Sequence, residues 1–457
     1  MISGASMKTE HIWKKNRHIV PYVGTVLLLF AAQTAIIWST KLTTWPELFF
    51  SPWLVSRGMV PYRDFFDHHG FFLYYLLSPV VQNGDFGLLR YVYWGLLSLN
   101  LLFVSVIFRR ARLFEFVLIL AIYTSLTNAV SINHLWYETA VTTVYLMIYL
   151  LITAVREARW KPMTVGLLIA VSSFIKPNAA VILVPVLYFY RRLPVLWVFL
   201  LSWAGIVGAA IILGAHTQLW TDIVQFNAYV LKYYVGSPVS DYPLLISSAL
   251  LLALGLVLTG RIPFPRNIAI PLSFTVMSLV FLRVEFGKEH LVPMAAFFCI
   301  TIGEIFRAMP AYFKKRLFTA MLVLYLLLVI YGVGIFVTRA ATRVPWWEEE
   351  KSARIAAYLS GSELMNRRMF IMGEQAELYA MLHKIPPNHF PVRYPLVDTF
   401  FPDFISREMY DIETHRVDLI VAPKPLLPAY RNLVPYVMKR FEVWEDTEDA
   451  TYYILRK

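Results

Sequence analysis

Eleven apolar runs dominate this chain, and each needs a place where its backbone is not left unpaired in a dry environment. They lie near residues 19–40, 88–108, 114–130, 138–155, 163–175, 179–190, 194–215, 242–260, 268–283, 291–306 and 317–338. About 20 apolar residues cross the hydrocarbon core of a bilayer as a helix. Inside that core a helix satisfies every N–H and C=O within its own segment. The runs therefore predict a polytopic α-helical membrane protein with about eleven transmembrane helices. Only 16% of the 457 residues are charged and the mean hydropathy is +0.56. Soluble domains carry about 25% charged residues.

The runs at 163–175 and 179–190 are short, and Lys176-Pro177-Asn178 separates them. Proline breaks or kinks a helix there, so either one bent span or two short ones fits. Basic residues favour two. With the N-terminus in the cytoplasm, 18 basic residues fall in cytoplasmic segments, among them Lys14, Arg17, Arg109, Arg110, Arg156, Lys161, Arg191, Arg192 and Arg307. The outer segments before the tail carry Lys41, Arg57, Arg63, Lys176, Lys232, Arg283 and Lys288, over longer loops. Cytoplasmic loops of membrane proteins are enriched in Lys and Arg. A single span at 163–190 would put Arg191 and Arg192 outside. The first run has a basic leader and no small-residue cleavage site after it, so an uncleaved first helix is expected. The net charge of +12 is accounted for by these clusters, and no nucleic acid partner is expected.

From about residue 339 the chain changes character. Residues 348–360 read as an amphipathic helix and 374–383 as a second helix. Met369–Met372, Val417–Val421, Phe441–Trp444 and Tyr452–Leu455 read as strands. Residues 339–457 are thus expected to form a small extracytoplasmic α/β domain after a transmembrane domain at 1–338. Between residues 216 and 241 an aromatic stretch around Trp220, Phe226 and Tyr229 reads as an interfacial helix or an aromatic belt. Cys299 lies inside an apolar run, so no internal disulfide is expected.

The middles of nearly all the spans lack Asp, Glu, Lys, Arg and His, and the ionisable groups crowd the outer ends. The first outer loop, about 41–87, holds Glu47, Arg57, Arg63, Asp64, Asp67, His68 and His69, punctuated by Gly58, Pro61 and Gly70. His134 and Glu138 belong to a second rim segment, Lys176 to a third, and Arg283, Lys288 and His290 to a fourth. Ion-coupled transporters keep such groups near the midplane. A rim site suits a substrate with a polar head at the surface and a tail in lipid. A carboxylate, histidines and several cations there can do acid–base work and hold a phosphate.

Many apolar spans, an acidic first outer loop and a soluble outer tail resemble the GT-C glycosyltransferases, and among them the bacterial ArnT/PMT-like and RgtA/B/C/D-like members. The motif Gly-x-x-Pro-Tyr-Arg-Asp-Phe followed by His-Gly is matched by Gly58, Pro61, Tyr62, Arg63, Asp64, Phe65, His69 and Gly70. Lys176-Pro177 and His290 with Pro293 match two further features. The resemblance covers roughly residues 19–310. It implies an inverting hexosyl- or pentosyltransferase in the plasma (inner) membrane. The donor would be a polyprenyl-phosphate sugar, and the acceptor an extracytoplasmic glycan, lipid or protein of the cell envelope. By position it places the catalytic base at Glu47, with Asp64 next. Relatives often carry an acidic pair at this position, and this chain has a single acid.

A base has to take the proton of the incoming hydroxyl, and the departing lipid phosphate needs its charge neutralised. Lys176, Arg283, Lys288 and His290 are candidates to cradle that phosphate. Arg63, Asp67, His68 and His69 are candidate substrate contacts. His68 and His69 with Asp64 and Asp67 permit a divalent metal, but their spacing is not that of a defined site, and no cofactor is required. The alternative function is a flippase or transporter for a lipid-linked sugar, which would need polar groups through the bundle.

Overall fold

The computed structural model describes residues 19–40, 42–131, 134–233, 265–279, 288–308, 349–394 and 396–456, with positions 319, 323 and 327 singly. The expected spans at 242–260 and 317–338, the basic leader 1–18 and Arg283 lie outside these residues, apart from the three single positions. Helices occupy the other nine expected runs. Five are long and apolar enough to cross a membrane: Val20–Ser39, Phe86–Phe108 (with its 3-10 start), Leu113–Ser131, Tyr137–Ala154 and Leu193–Ile212. The chain is an integral membrane protein by this measure. Leu113–Ser131 and Tyr137–Ala154 are the central pair, 67% and 61% buried within the protein, whereas Val20–Ser39 and Leu193–Ile212 are 11% buried and lie at the periphery. Val292–Ala308 is buried along nearly its whole length and packs beside Arg266–Ser278.

The segment 160–190 goes out and comes back. Trp160–Ile175 ends at Lys176, and a 3-10 turn, Pro177–Ile182, leads into Leu183–Tyr190. At the far end Tyr190 Oη donates to Glu157 Oε1 (2.9 Å), Lys161 Nζ lies 5.2 Å from the Tyr190 ring, and Arg192 pairs with Glu157. Residues 157 and 190 therefore share one end of the bundle. Two short helices, not one bent span, occupy the stretch. The same end gathers Tyr22 on Ala111 O, Phe114 on Phe306, Arg266 on Phe189 O and Asn267 on Glu304. The basic clusters at 109–112, 156–161 and 191–192 thus lie together, away from the acidic loop.

At the opposite end the first outer loop folds onto its neighbours. β1 (Thr43–Thr44) pairs in parallel with β2 (His134–Leu135), stitching the loop to the second rim segment. A 3-10 turn, Pro46–Leu48, and a short buried helix, Phe50–Ser56, follow. An additional apolar helix, Phe72–Val81, leaves the loop. The aromatic stretch at 216–233 is a helix with a π-helical turn at Trp220–Phe226. It packs on Tyr62 and Phe71 of the loop through Leu219 and Ile223.

The tail carries a four-stranded sheet in the order β3-β4-β6-β5, from Met369–Ile371 (β3), Leu419–Pro423 (β4), Phe441–Asp446 (β5) and Ala450–Leu455 (β6). β3 runs parallel to β4, and the other pairs are antiparallel. Glu349–Ser360, Glu377–Met381 and Phe404–Thr414 are helical. The tail seats on the loop through Glu377–Met381 and the segment around residue 389. Phe50 stacks on Tyr379, and the Phe66 amide donates to His389 O at 2.7 Å.

Candidate active site

The loop motif first makes its own scaffold. Asp64 accepts the Val60 amide at 2.7 Å and both arms of the Arg63 guanidinium at 2.7 and 2.8 Å. Burial works against its ionisation, but the Arg63 fork and the Val60 amide outweigh it and hold the carboxyl below its ordinary range. Tyr62 has a left-handed backbone, φ 69°, which a bulky residue rarely adopts. Its hydroxyl donates to His69 O at 2.7 Å, and the ring is 3% exposed. That tie offsets the backbone strain and fixes His69.

Asp67 is the most enclosed carboxylate of the loop, with 0% exposure. Oδ1 accepts the His69 amide at 2.9 Å and meets His69 Nδ1 at 3.2 Å. Oδ2 accepts Ser51 Oγ at 3.1 Å and the Tyr394 hydroxyl at 2.9 Å. Four donors on two oxygens are what makes a buried carboxylate tolerable. His69 stacks on Tyr137 with ring centroids 4.3 Å apart. Burial, only partly countered by Asp67, moves the His69 imidazole below its ordinary range, which keeps it neutral at pH 7. Glu47, 4% exposed on the Pro46–Leu48 turn, lies within electrostatic reach of Tyr137 and Tyr394. Burial, then the Asp67 and Glu47 carboxylates, hold the Tyr394 phenol well above its ordinary range.

A second cluster faces the first across Trp136 and Tyr137. Glu138, fully buried in the first turn of Tyr137–Ala154, receives Lys176 Nζ and His290 Nδ1 on Oε1. The two nitrogens lie 3.4 Å apart. Glu138 Oε2 is buried with no hydrogen-bond partner among the described residues. The Trp136 ring lies 5.9 Å from His69 and 6.1 Å from His290, walling the space between the clusters. Gly70 brings them together, because its chain crosses directly over Phe174 O at the end of Trp160–Ile175. Beneath Leu48 and Trp136 lies an apolar cavity of about 130 Å³, reached by Leu73, Leu77, Val144 and Ile175.

Of the residues expected to act, Glu47, Asp67, His69, Lys176 and His290 are buried or nearly so around this space. His68 stands beside them, its ring edge-on to Tyr394 at 4.4 Å. Arg63 and Asp64 face each other in the outer part of the loop. Lys288 opens the 3-10 turn Lys288–Leu291 that carries His290. Asp67, His68 and His69 bring one ligand atom each within 4.8 Å of one another. Asp67 already uses both oxygens twice for protein donors, so the trio is built as a hydrogen-bonded unit and not as an open metal site. Sequence reasoning placed Glu138 at the rim without giving it a role, and passed over Tyr394 and Asp222. Glu138 had a signal, a carboxylate opening an apolar span. Asp222, on the π-helical turn, is buried, and burial with the Asp67 charge pushes its carboxyl up to about 9. Tyr394 had no local signal.

No family model and no curated protein matches the chain. Among solved structures its fold is that of ArnT from Cupriavidus metallidurans bound to undecaprenyl phosphate. That likeness has a TM-score of 0.60 at 12% identity, over 96% of this chain and 98% of that one. The apo state of ArnT superposes with a TM-score of 0.53 at 11% identity, over the same shares. A likeness at this identity is one of fold alone.

Proposed function

We propose, from an ArnT-like fold with a buried acid–base site at one rim, that the chain is an inverting membrane glycosyltransferase of the GT-C superfamily. Its donor is a polyprenyl-phosphate sugar and its acceptor lies outside the cytoplasm. The observation that carries this reading is the facing of two clusters, Glu47 with Asp67–His69 and Glu138 with Lys176–His290, above an apolar cavity. A carboxylate near a lysine and a histidine held together is what a displacement at C1 needs. Glu47 takes the acceptor proton as the new C1–O bond forms. The bond from C1 to the phosphate oxygen breaks, and the lipid phosphate leaves with its electron pair toward Lys176 and His290. Glu138 fixes Lys176 and His290 in place. Arg283 and Lys288 are proposed to join them, and Arg63 and His68 to contact the sugar or acceptor. The cavity under Trp136 suits the first isoprene units of the lipid.

The gathering of basic clusters at the far end supports a cytoplasmic N-terminus, with the site and residues 339–457 outside. The test is purified full-length protein in nanodiscs, offered a panel of radiolabelled polyprenyl-phosphate sugars and membrane extracts. Transfer from one donor is expected, and Glu47→Gln should lower turnover about 10²–10⁴-fold while stabilisation by undecaprenyl phosphate persists. No transfer from any donor, or near-normal turnover in Glu47→Gln, overturns the reading or the base assignment respectively.

A further inference from the structure

The segment 388–394 of the tail has no regular secondary structure, yet it is tied down on both sides. On the tail side Asn388 Nδ2 donates to both oxygens of Glu408 at 3.2 Å, and the His389 amide meets Asp411 Oδ2 at 3.3 Å. Arg393 lies over the Phe404 ring at 3.8 Å. On the loop side His389 O accepts the Phe66 amide at 2.7 Å. The Phe66 ring is enclosed by Phe390, Tyr394, Phe401 and Phe226 at centroid distances of 5.0–5.8 Å. From this clamped segment Tyr394, 5% exposed, sends its hydroxyl 2.9 Å to Asp67 Oδ2.

We infer that the tail is a working part of the site, with Tyr394 as a positioning residue that sets the Asp67 carboxylate and, through Oδ1, the His69 ring. The inference rests on the glycosyltransferase reading above for its effect on rate, and on geometry alone for its effect on His69. A carboxylate rotates about one bond. Ser51 and Tyr394 on one oxygen fix where the other oxygen points, and that oxygen holds both nitrogens of His69 that face it. Without the phenol, one donor on Oδ2 remains and the His69 ring gains freedom over Tyr137. Loss of about 1 Å of alignment in a site of this kind costs on the order of a hundred-fold in rate. A tail that only packed against the loop would need the Tyr394 ring and not its hydroxyl.

The experiment uses Tyr394→Phe in the full chain in nanodiscs, which keeps the ring and removes the oxygen. One arm measures carbethoxylation of each histidine by diethyl pyrocarbonate at a single pH, read by peptide mass mapping. His69 should label several-fold faster than in the wild type, with the exposed His216 and His415 unchanged as internal standards. Ser51→Ala, which removes the other donor on that oxygen, should move His69 the same way. The second arm measures transfer from the donor found in the panel. Here kcat should fall about ten- to a hundred-fold with KM for the donor unchanged. Unchanged His69 labelling in Tyr394→Phe overturns the inference, as does faster labelling with an unaltered kcat. A wild type that transfers nothing sinks the glycosyltransferase reading instead, and the labelling arm still decides the positioning.

Discussion

Gly70→Ala tests the joint between the two halves of the site. A Cβ at residue 70 would lie 1.9 Å from Phe174 O, 2.4 Å from Phe174 C and 2.8 Å from Ile175 C. These are backbone atoms on the last turn of a helix, so no side chain can swing aside. Ordinary C···O approaches are about 3.3 Å, so the loop and the helix end have to part by roughly 1.4 Å. His69 precedes Gly70, and Lys176 follows Phe174 by two residues, so the parting falls between the Asp67–His69 and Glu138–Lys176 clusters. Overpacking of this kind costs about 1–3 kcal/mol, which the fold should survive. Displacement of reacting groups by about 1 Å costs around 10²-fold in rate. The expected result is a folded protein with a lowered thermal midpoint, weakened stabilisation by undecaprenyl phosphate and turnover down about a hundred-fold. Gly95→Ala is the control, since nothing lies within 4 Å of a Cβ there. Wild-type stability and turnover in Gly70→Ala would refute the packing argument.

The Arg63–Asp64 pair is partly exposed, so Asp64→Asn should cost about 1 kcal/mol or less and reduce turnover only as far as the loop loosens; a stable, lipid-binding but inactive Asp64→Asn protein would move the base from Glu47 to Asp64. Burial, opposed by Asn388 and Arg393, pushes the Glu408 carboxyl up to about 8. Its unfolded value is about 4.3, so the native state holds the extra proton between the two, and stability should fall as pH rises through that window and level off above it. Glu408→Gln should remove much of this slope, as read from thermal midpoints between pH 5 and pH 9, and an unaltered slope would place the titration elsewhere. Asp222 is protonated at neutral pH by the same logic, so Asp222→Asn should be nearly silent in thermal midpoint and turnover. Asp222→Ala should lower the thermal midpoint, because it empties a buried position.

The helices were legible because their signal is local. Each apolar run carries its own hydrogen bonds, and the basic residues at 156–161 and 191–192 already implied that 160–190 doubles back. The tail strands were legible for the same reason, from short apolar runs such as Met369–Met372 and Val417–Val421. The site was legible only in part. Glu47, Lys176 and His290 stood out as charges at the ends of apolar runs, and their convergence depends on contacts 114 residues apart in sequence, as between Lys176 and His290. Asp67 read as one acid among several, and what distinguishes it is its set of donors, one of them 327 residues away. Tyr394 is an ordinary aromatic in the sequence, so no pattern marked it. Glu138 was visible as a rim acid, but its two partners, Lys176 and His290, come from separate segments. Short-range pattern reveals which groups are held at the membrane surface, and long-range packing decides which of them meet.

The placement of charge along the described helices bears on what kind of protein this is. Arg90, Glu115, Glu138, Lys161 and Arg266 sit in first turns, and Glu304 and Arg307 in a last turn. Among the described residues no Asp, Glu, Lys, Arg or His occupies the middle of an apolar helix. A carrier that moves a charged headgroup through the bundle has to compensate that charge at the midplane, where an unpaired charge is most costly. Here the described charges lie at the two ends: Glu157 with Lys161 and Arg192 and Glu304 with Arg307 at one, and the Asp67–His69 and Glu138–Lys176 clusters at the other. In the proposed reading, the second of these ends handles a headgroup held at the rim, with its tail left in the lipid. The Phe66 cage and Tyr394 cover the loop, keeping Asp67 in the low-dielectric surroundings where its hydrogen bonds are strongest.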